Sequence, residues 1–226
     1  MFRWTEVPEV VQTSHEGFFP ENLMELSEVV VERLLWMIPL ILSITVHEWA
    51  HAATAAWLGD DTARLLGRNT LNPVAHVDPV GTLLLPLLGI PFGWAKPVPI
   101  NPVRFHRGTS MKLGVLMVAI AGPISNVVLA AACWLLKSTP FSRPGTGLDD
   151  GLATMIMLNI GLAVFNMLPI PPLDGSRIAD ALMPARLRPL WHHFSNYGFM
   201  LLIAMFLLPM VLTGANLVQL LFDALN

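Results

Sequence analysis

His47, Glu48 and His51 stand in the order His-Glu-x-x-His inside an otherwise apolar stretch. On a helix, residues four apart share one face at about 6 Å, so the two imidazoles can hold a single metal ion with the carboxylate beside it. In this pattern a zinc ion lowers the pKa of a bound water to about 7 and the glutamate takes its proton. Ionisable groups within a membrane span are costly to keep there and read as a functional site. A catalytic zinc takes a third protein ligand and leaves one position open. The candidates are His76, Asp78, Asp174, Asp180, His192 and His193. Asp174 is the strongest: it follows the end of an apolar segment, the prolines before it fix the chain, and Gly175 after it permits a close backbone approach. His76 and Asp78 lie in a proline-flanked loop, as supports for the ligands or the substrate or merely as turn formers.

The chain that must position these groups has 226 residues, 54% hydrophobic and 13% charged, with a mean hydropathy of +0.60. That composition predicts an all-α integral membrane protein. The net charge of −3 and the dispersed basic residues exclude a nucleic-acid partner. Cys133 is the sole cysteine and lies in an apolar run, so neither an internal disulfide nor a thiolate metal cluster is available. Residues 1 to 32 carry seven glutamates and no basic-then-apolar pattern, so no cleavable signal peptide is expected.

The expected organisation is an acidic, polar segment over 1–30, ending in a surface helix around 22–31, then a membrane domain over 31–213 and an apolar tail over 214–226. Four spans are expected, at about 34–58, 113–136, 152–168 and 198–212. Pro39 interrupts the first span's hydrogen bonding ahead of His47, and Gly59 is placed to end it. Residues 60–80 read as loop and short strands. Residues 80–94 are apolar but broken by Gly81, Pro86, Gly89, Pro91 and Gly93, which suits a re-entrant segment better than a span. Ala95 to Pro102 alternates proline with other residues and is expected to be extended. After the third span, residues 170–175 are expected to be extended, and 177–197 to be a polar connector.

Joining Asp174 to His47 and His51 supports re-entrance on separate grounds. The histidines lie near the C-terminal end of the first span and Asp174 just past that of the third. Both ends reach one side only if 80–94 dips in and returns, and the positive-inside rule then puts the N-terminus outside. The distribution of Lys and Arg suits this arrangement and a fully spanning one equally.

Three motifs in order carry a resemblance: His47-Glu48-x-x-His51, then Ala121-Gly122-Pro123-x-x-Asn126, then Asn166-x-Leu168-Pro169-x-Pro171-x-Leu173-Asp174-Gly175. Together they resemble the site-2 proteases, the intramembrane zinc metalloproteases of peptidase family M50. The stretches His76-x-Asp78-Pro79-x-Gly81-Thr82 and Trp94-Ala95-Lys96-Pro97 resemble its compact bacterial and archaeal branch, without a PDZ or CBS domain. The resemblance implies one zinc ion held by His47, His51 and Asp174, with Glu48 as general base and then acid. It places Asn166 near the scissile carbonyl, and a re-entrant β segment between the first two spans that pairs with an unwound substrate. It implies a multi-pass protein of the bacterial plasma membrane, with lipid and a membrane-protein substrate as partners in regulated intramembrane proteolysis. The expected architecture is thus a polytopic helix bundle of about four transmembrane helices with a re-entrant β/loop segment.

Simpler roles stand beside these. Asn126 either supports the site or joins helices, as Asn166 also could; Asn159 is read as structural and His192 and His193 as solvated. A non-catalytic zinc carrier or sensor could use the same ligands.

Overall fold

The computed structural model describes residues 21–87, 93–106 and 108–213. Most of the acidic segment (1–20), the apolar tail (214–226) and the middle of the 80–94 segment (88–92) lie outside the described residues. The first helix, α1, runs Glu21–Trp57 and absorbs the expected surface helix around 22–31 into one continuous rod. Its apolar part, Arg33–Trp57, has 25 residues. At 1.5 Å per residue that is about 37 Å, enough to cross a hydrocarbon core of about 30 Å. Pro39 sits inside α1 without ending it. Gly59 does end it: at φ +106° it donates to Ala56 O while Asp60 donates to Ala55 O, which satisfies the last carbonyls of the helix.

Between α1 and the next long helix the chain is helical where strands were expected. A short α2 (Thr62–Leu65) and a 3-10 turn (Pro73–Ala75) occupy the 60–80 region. Asp78 then accepts hydrogen bonds from Val80 N and Gly81 N at 3.0 and 2.7 Å, and Pro79 stands at the first helical position. Capped in this way, residues Pro79–Leu84 form a π-helical turn that continues as α3 (Leu85–Leu87). No strand occurs among the described residues, which corrects the expected β form of the 80–94 segment.

The segment leaves and returns close to itself. A Cβ on Gly93 would lie 2.1 Å from Gly81 O, so the outgoing and incoming limbs touch at a pair of glycines. Between them the chain reaches far enough along α1 for Arg33 to bond Leu87 O at 2.6 Å. The return limb forms neither helix nor strand through residues 93–101 and closes on the end of α1: His106 N donates to Leu58 O at 2.9 Å and Asn101 N to Asp60 Oδ2 at 2.5 Å. The chain therefore comes back to the end of α1 from which it departed.

Helix α4 (Met111–Lys137) and helix α5 (Gly147–Asn166) are also long and apolar enough to cross a membrane, making three such helices among the described residues. The start of α5 lies five residues ahead of the expected 152. Thr146 caps it, and Asp149 and Asp150, which looked like loop, favour the positive end of the helix dipole. Residues 170–173 are not extended. Pro171–Pro172 is cis and Leu173 N donates to Ile170 O at 2.9 Å, a tight turn. The supposed connector contains α6 (Asp174–Leu182) and α7 (Arg188–Ser195). Where a fourth span was expected stands the apolar helix α8 (Gly198–Thr213), which at 16 residues is shorter than α1, α4 and α5. At about 24 Å it falls short of a full crossing as described.

Helix α4 is central and packs on α1, α5 and α6. Leu35, Ile38 and Leu42 of α1, Val127, Val128 and Leu135 of α4, and Ile160 and Val164 of α5 face outward. An apolar exterior around a polar interior is the arrangement a lipid environment favours.

Candidate metal centre

His47 and His51 lie on the face of α1 that meets α4, and Asp174 is the first residue of α6. All three are buried. His47 Nε2 and His51 Nε2 are 3.0 Å apart, and Asp174 Oδ2 lies 3.1 Å from the first and 3.2 Å from the second. Among the described residues this is the one group of three potential metal-binding side chains that converges.

The other face of each imidazole identifies what the converging atoms are. His51 Nδ1 lies 2.7 Å from the carbonyl of Val118, a pure acceptor, so Nδ1 carries the proton and Nε2 presents a lone pair. His47 Nδ1 lies 2.5 Å from Asn126 Oδ1, which sets the same tautomer. Two imidazole lone pairs and a carboxylate oxygen thus point at one another across about 3 Å, an arrangement that repels unless a cation lies between them. A tetrahedral zinc with bonds of about 2.0–2.1 Å separates its ligand atoms by about 3.3 Å, close to these spacings. The residues present fit a zinc ion, and each histidine has the outer hydrogen bond that metal-binding imidazoles use.

Close approach of two backbones makes the cluster possible. A Cβ on Gly122 of α4 would lie 2.4 Å from His51 Nε2 and 2.6 Å from His47 Cε1. Glycine there leaves α4 against the imidazole edges. At the other wall, a Cβ on Gly175 would meet Met167 O at 2.3 Å, so the N-terminus of α6 seats directly on the end of α5 and delivers Asp174. Both glycines belong to the motifs that carried the resemblance.

Glu48 is half-buried on the neighbouring side of α1, turned toward the return limb. Its Oε2 accepts the backbone N–H of Val98 at 3.2 Å. Val98 itself is buried with Ala52 and Ala63. The limb is pinned from behind: buried Arg68 donates to Lys96 O and Pro97 O at 3.2 and 3.3 Å, Thr82 Oγ1 donates to Trp94 O at 2.8 Å, and Lys96 N donates to His76 O at 2.9 Å.

Among the predicted residues, the structure brings together His47, His51, Asp174 and Asn126. His76 and Asp78 do not join them. His76 is fully buried in its own loop with Nε2 on Thr70 O, and Asp78 caps the turn that follows. Asp180, His192 and His193 are exposed and outside the cluster. Asn166 ends α5 with its amide donating to Leu162 O of the same helix at 3.0 Å. Sequence reasoning missed the Val98 amide on Glu48 and the Val118 carbonyl on His51. Both are backbone groups, which no residue type announces.

Fold and centre define a protein with three helices long and apolar enough to cross a membrane and, in its buried interior, a His-His-Asp cluster that could hold a metal ion. The "Peptidase family M50" model matches residues 142–209. A protein of Bacillus subtilis (strain 168), named "Putative zinc metalloprotease YwhC", is 41% identical over 181 residues, covering 77% of this chain and 80% of that protein. "Putative zinc metalloprotease Rip2" of Mycolicibacterium smegmatis is 30% identical over 171 residues, 75% of this chain and 65% of that protein. No solved structure matches. The chain belongs to peptidase family M50, the site-2 protease family, and is a metalloprotease of that family.

Proposed function

We propose that the protein is a zinc-dependent endopeptidase that cleaves a membrane-spanning or membrane-associated protein segment within the bilayer. The observation that carries this reading is the convergence of two imidazole lone pairs and a carboxylate at 3.0–3.2 Å inside an apolar helix bundle, with Glu48 alongside. Zinc, when bound, supplies a Lewis acid that polarises the peptide carbonyl and lowers the pKa of a water to the neutral range. His47, His51 and Asp174 hold it. Glu48 takes the proton of the attacking water and hands it to the leaving amine. Val98 N–H engages Oε2 and leaves Oε1 for that transfer. Asn166 reaches the scissile carbonyl by turning its amide away from Leu162 O.

The substrate must present an unwound stretch, because a helix hides its carbonyls. The return limb beside Glu48 is where it would lie, but the pairing differs from an ordinary strand edge. Pro97 and Pro99 have no N–H, and those of Lys96 and Val98 are engaged by His76 O and Glu48. Lys96 O and Pro97 O already accept from Arg68, so substrate pairing on residues 95–99 falls chiefly to the carbonyl oxygens of Ala95, Val98 and Pro99.

In the same reading residues 31–213 form the protease domain, α8 is a fourth span and 80–94 is re-entrant. The hydrogen bonds from residues 101 and 106 back to the end of α1, and the contact of Gly81 with Gly93, support a segment that returns to its side of entry. The setting is a bacterial plasma membrane. The test is Glu48→Gln in the full chain, with a membrane-spanning reporter and a zinc assay. The variant is expected to keep zinc and lose cleavage. Cleavage persisting at the wild-type rate overturns the proposal, and wild type that holds zinc but cuts no reporter replaces it with a carrier or sensor.

A further inference from the structure

Asn126 does not act alone. Its Nδ2 donates to Asn159 Oδ1 at 2.7 Å, and Asn159 Nδ2 donates both to Ser43 Oγ and to Met155 O, each at 2.8 Å. The Ser43 hydroxyl donates in turn to Pro39 O at 2.7 Å. Ser43, Asn126 and Asn159 are each 0% exposed. A continuous polar chain therefore crosses the interior from α1 through α4 and α5 and back to α1, with His47 at one end.

The chain has a direction that only its far end can fix. An asparagine amide can be turned over with little change of shape, exchanging donor for acceptor. Were Asn126 reversed, its NH2 would face His47 Nδ1, the ring proton would move to Nε2, and the lone pair aimed at Asp174 and His51 would be lost. Reversal of Asn126 requires reversal of Asn159. That would set Asn159 Oδ1 against the carbonyl of Met155, which has no hydrogen to offer. Pro39 O closes the Ser43 branch in the same sense. The carbonyl of Met155, in another helix, is thus the reference that orders the amides.

We propose that Asn159 is a positioning residue for the metal centre: through Asn126 it holds His47 in the tautomer that binds zinc. This rests on the zinc-binding reading of His47, His51 and Asp174. His51 needs no such relay, since Val118 O meets its ring directly. A merely structural Asn159 would join α5 to α4 and affect stability alone.

The test uses the full-length chain in detergent, stripped of metal and titrated with zinc against a chromophoric chelator, with the visible spectrum of the cobalt-loaded form and the melting temperature read in parallel. Asn159→Leu is expected to weaken zinc binding about tenfold and alter the cobalt bands, and Asn126→Leu about ten- to a hundredfold, the range for outer partners of metal-binding histidines. The double variant is expected to match Asn126→Leu, because Asn159 acts only through Asn126. Asn159→Asp is expected to recover wild-type affinity within about threefold: protonated in this interior, it offers Asn126 an oxygen and Met155 O a hydroxyl. If Asn159→Leu does not fold, Asn159→Ser replaces it, too short to reach Asn126 yet able to bond Met155 O. Unchanged zinc affinity and cobalt spectrum with a lowered melting temperature would overturn the proposal, as would additive losses in the double variant. Wild type that binds no zinc would instead remove the reading on which the proposal rests.

Discussion

The two sides of α1 at the centre are held by different means. On the side of His47 the neighbours are helices, and the grip is a file of side chains, Asn126, Asn159 and Ser43, with no charge and no water-facing member. On the side of Glu48 the neighbour is a non-helical limb, and the grip is one backbone N–H, from Val98, steadied by Arg68 and Thr82 behind it. The helical side sets which nitrogen of a ligand carries a proton; the limb sets where a carboxylate stands and leaves it an open oxygen. On the proposed reading, one side governs whether metal is held and the other how well the held metal is used.

That division can be broken in stages. The largest effect is expected from Gly122→Ala, whose new methyl would sit 2.4 Å from His51 Nε2. Zinc affinity should fall about a hundredfold, and cleavage of a reporter at saturating zinc should fall by at least a similar factor, since displacement of about 1 Å at a reacting centre costs on the order of 10²-fold. Next, Arg68→Ala frees the limb from its anchor at Lys96 and Pro97. Single-turnover cleavage should drop about tenfold while chelator competition shows zinc affinity within about twofold of wild type. A loss of zinc as large as the loss of cleavage would erase the distinction between the two sides. Ser43→Ala is a smaller perturbation, because Met155 O still orients Asn159; zinc affinity should weaken by less than about threefold, in keeping with the modest worth of single polar contacts inside membranes. Least of all is expected from Lys137→Ala. Lys137 bonds Asp149 where α4 ends and α5 begins, and both readouts should stay at wild-type values.

Much of the centre could be read from the chain itself because its chemistry is carried by side chains at helical spacing. His47 and His51 stand one turn apart, and Asp174 follows a span with glycine behind it. Asn126 was visible as a polar residue in an apolar helix, but its partner was not. Asn159 looked like ordinary helix glue, since its link to Ser43 joins positions 116 apart and nothing in either residue type encodes the pairing. The start of α5 was misplaced because Asp149 and Asp150 look like loop until the dipole of a helix N-terminus is considered. The 80–94 segment was read as a poor helix former, yet Pro79–Leu87 is helical. The Asp78 cap was overlooked, and it is enough to wind the first turns. Helices α6 and α7 were hidden by their polar composition, which resembles a connector when amphipathic pattern is not weighed.

The hydrogen bond from His106 N to Leu58 O joins, at its base, the two ends of an excursion whose bonded positions lie 48 apart in the chain. A base closed in this way separates the register of the helices from the length of what lies between. Further residues inserted beyond that closure would add only slowly to its entropic cost, by about 0.6 kcal/mol per doubling of loop length. The packing that keeps Gly122 against His51 is therefore little affected by the length of what lies beyond the closure. Within the excursion, the limb that carries Val98 and the Arg68 that anchors this limb belong to the bundle, so tolerance of changed length falls to the stretch between Thr82 and Trp94, whose ends are tied to each other.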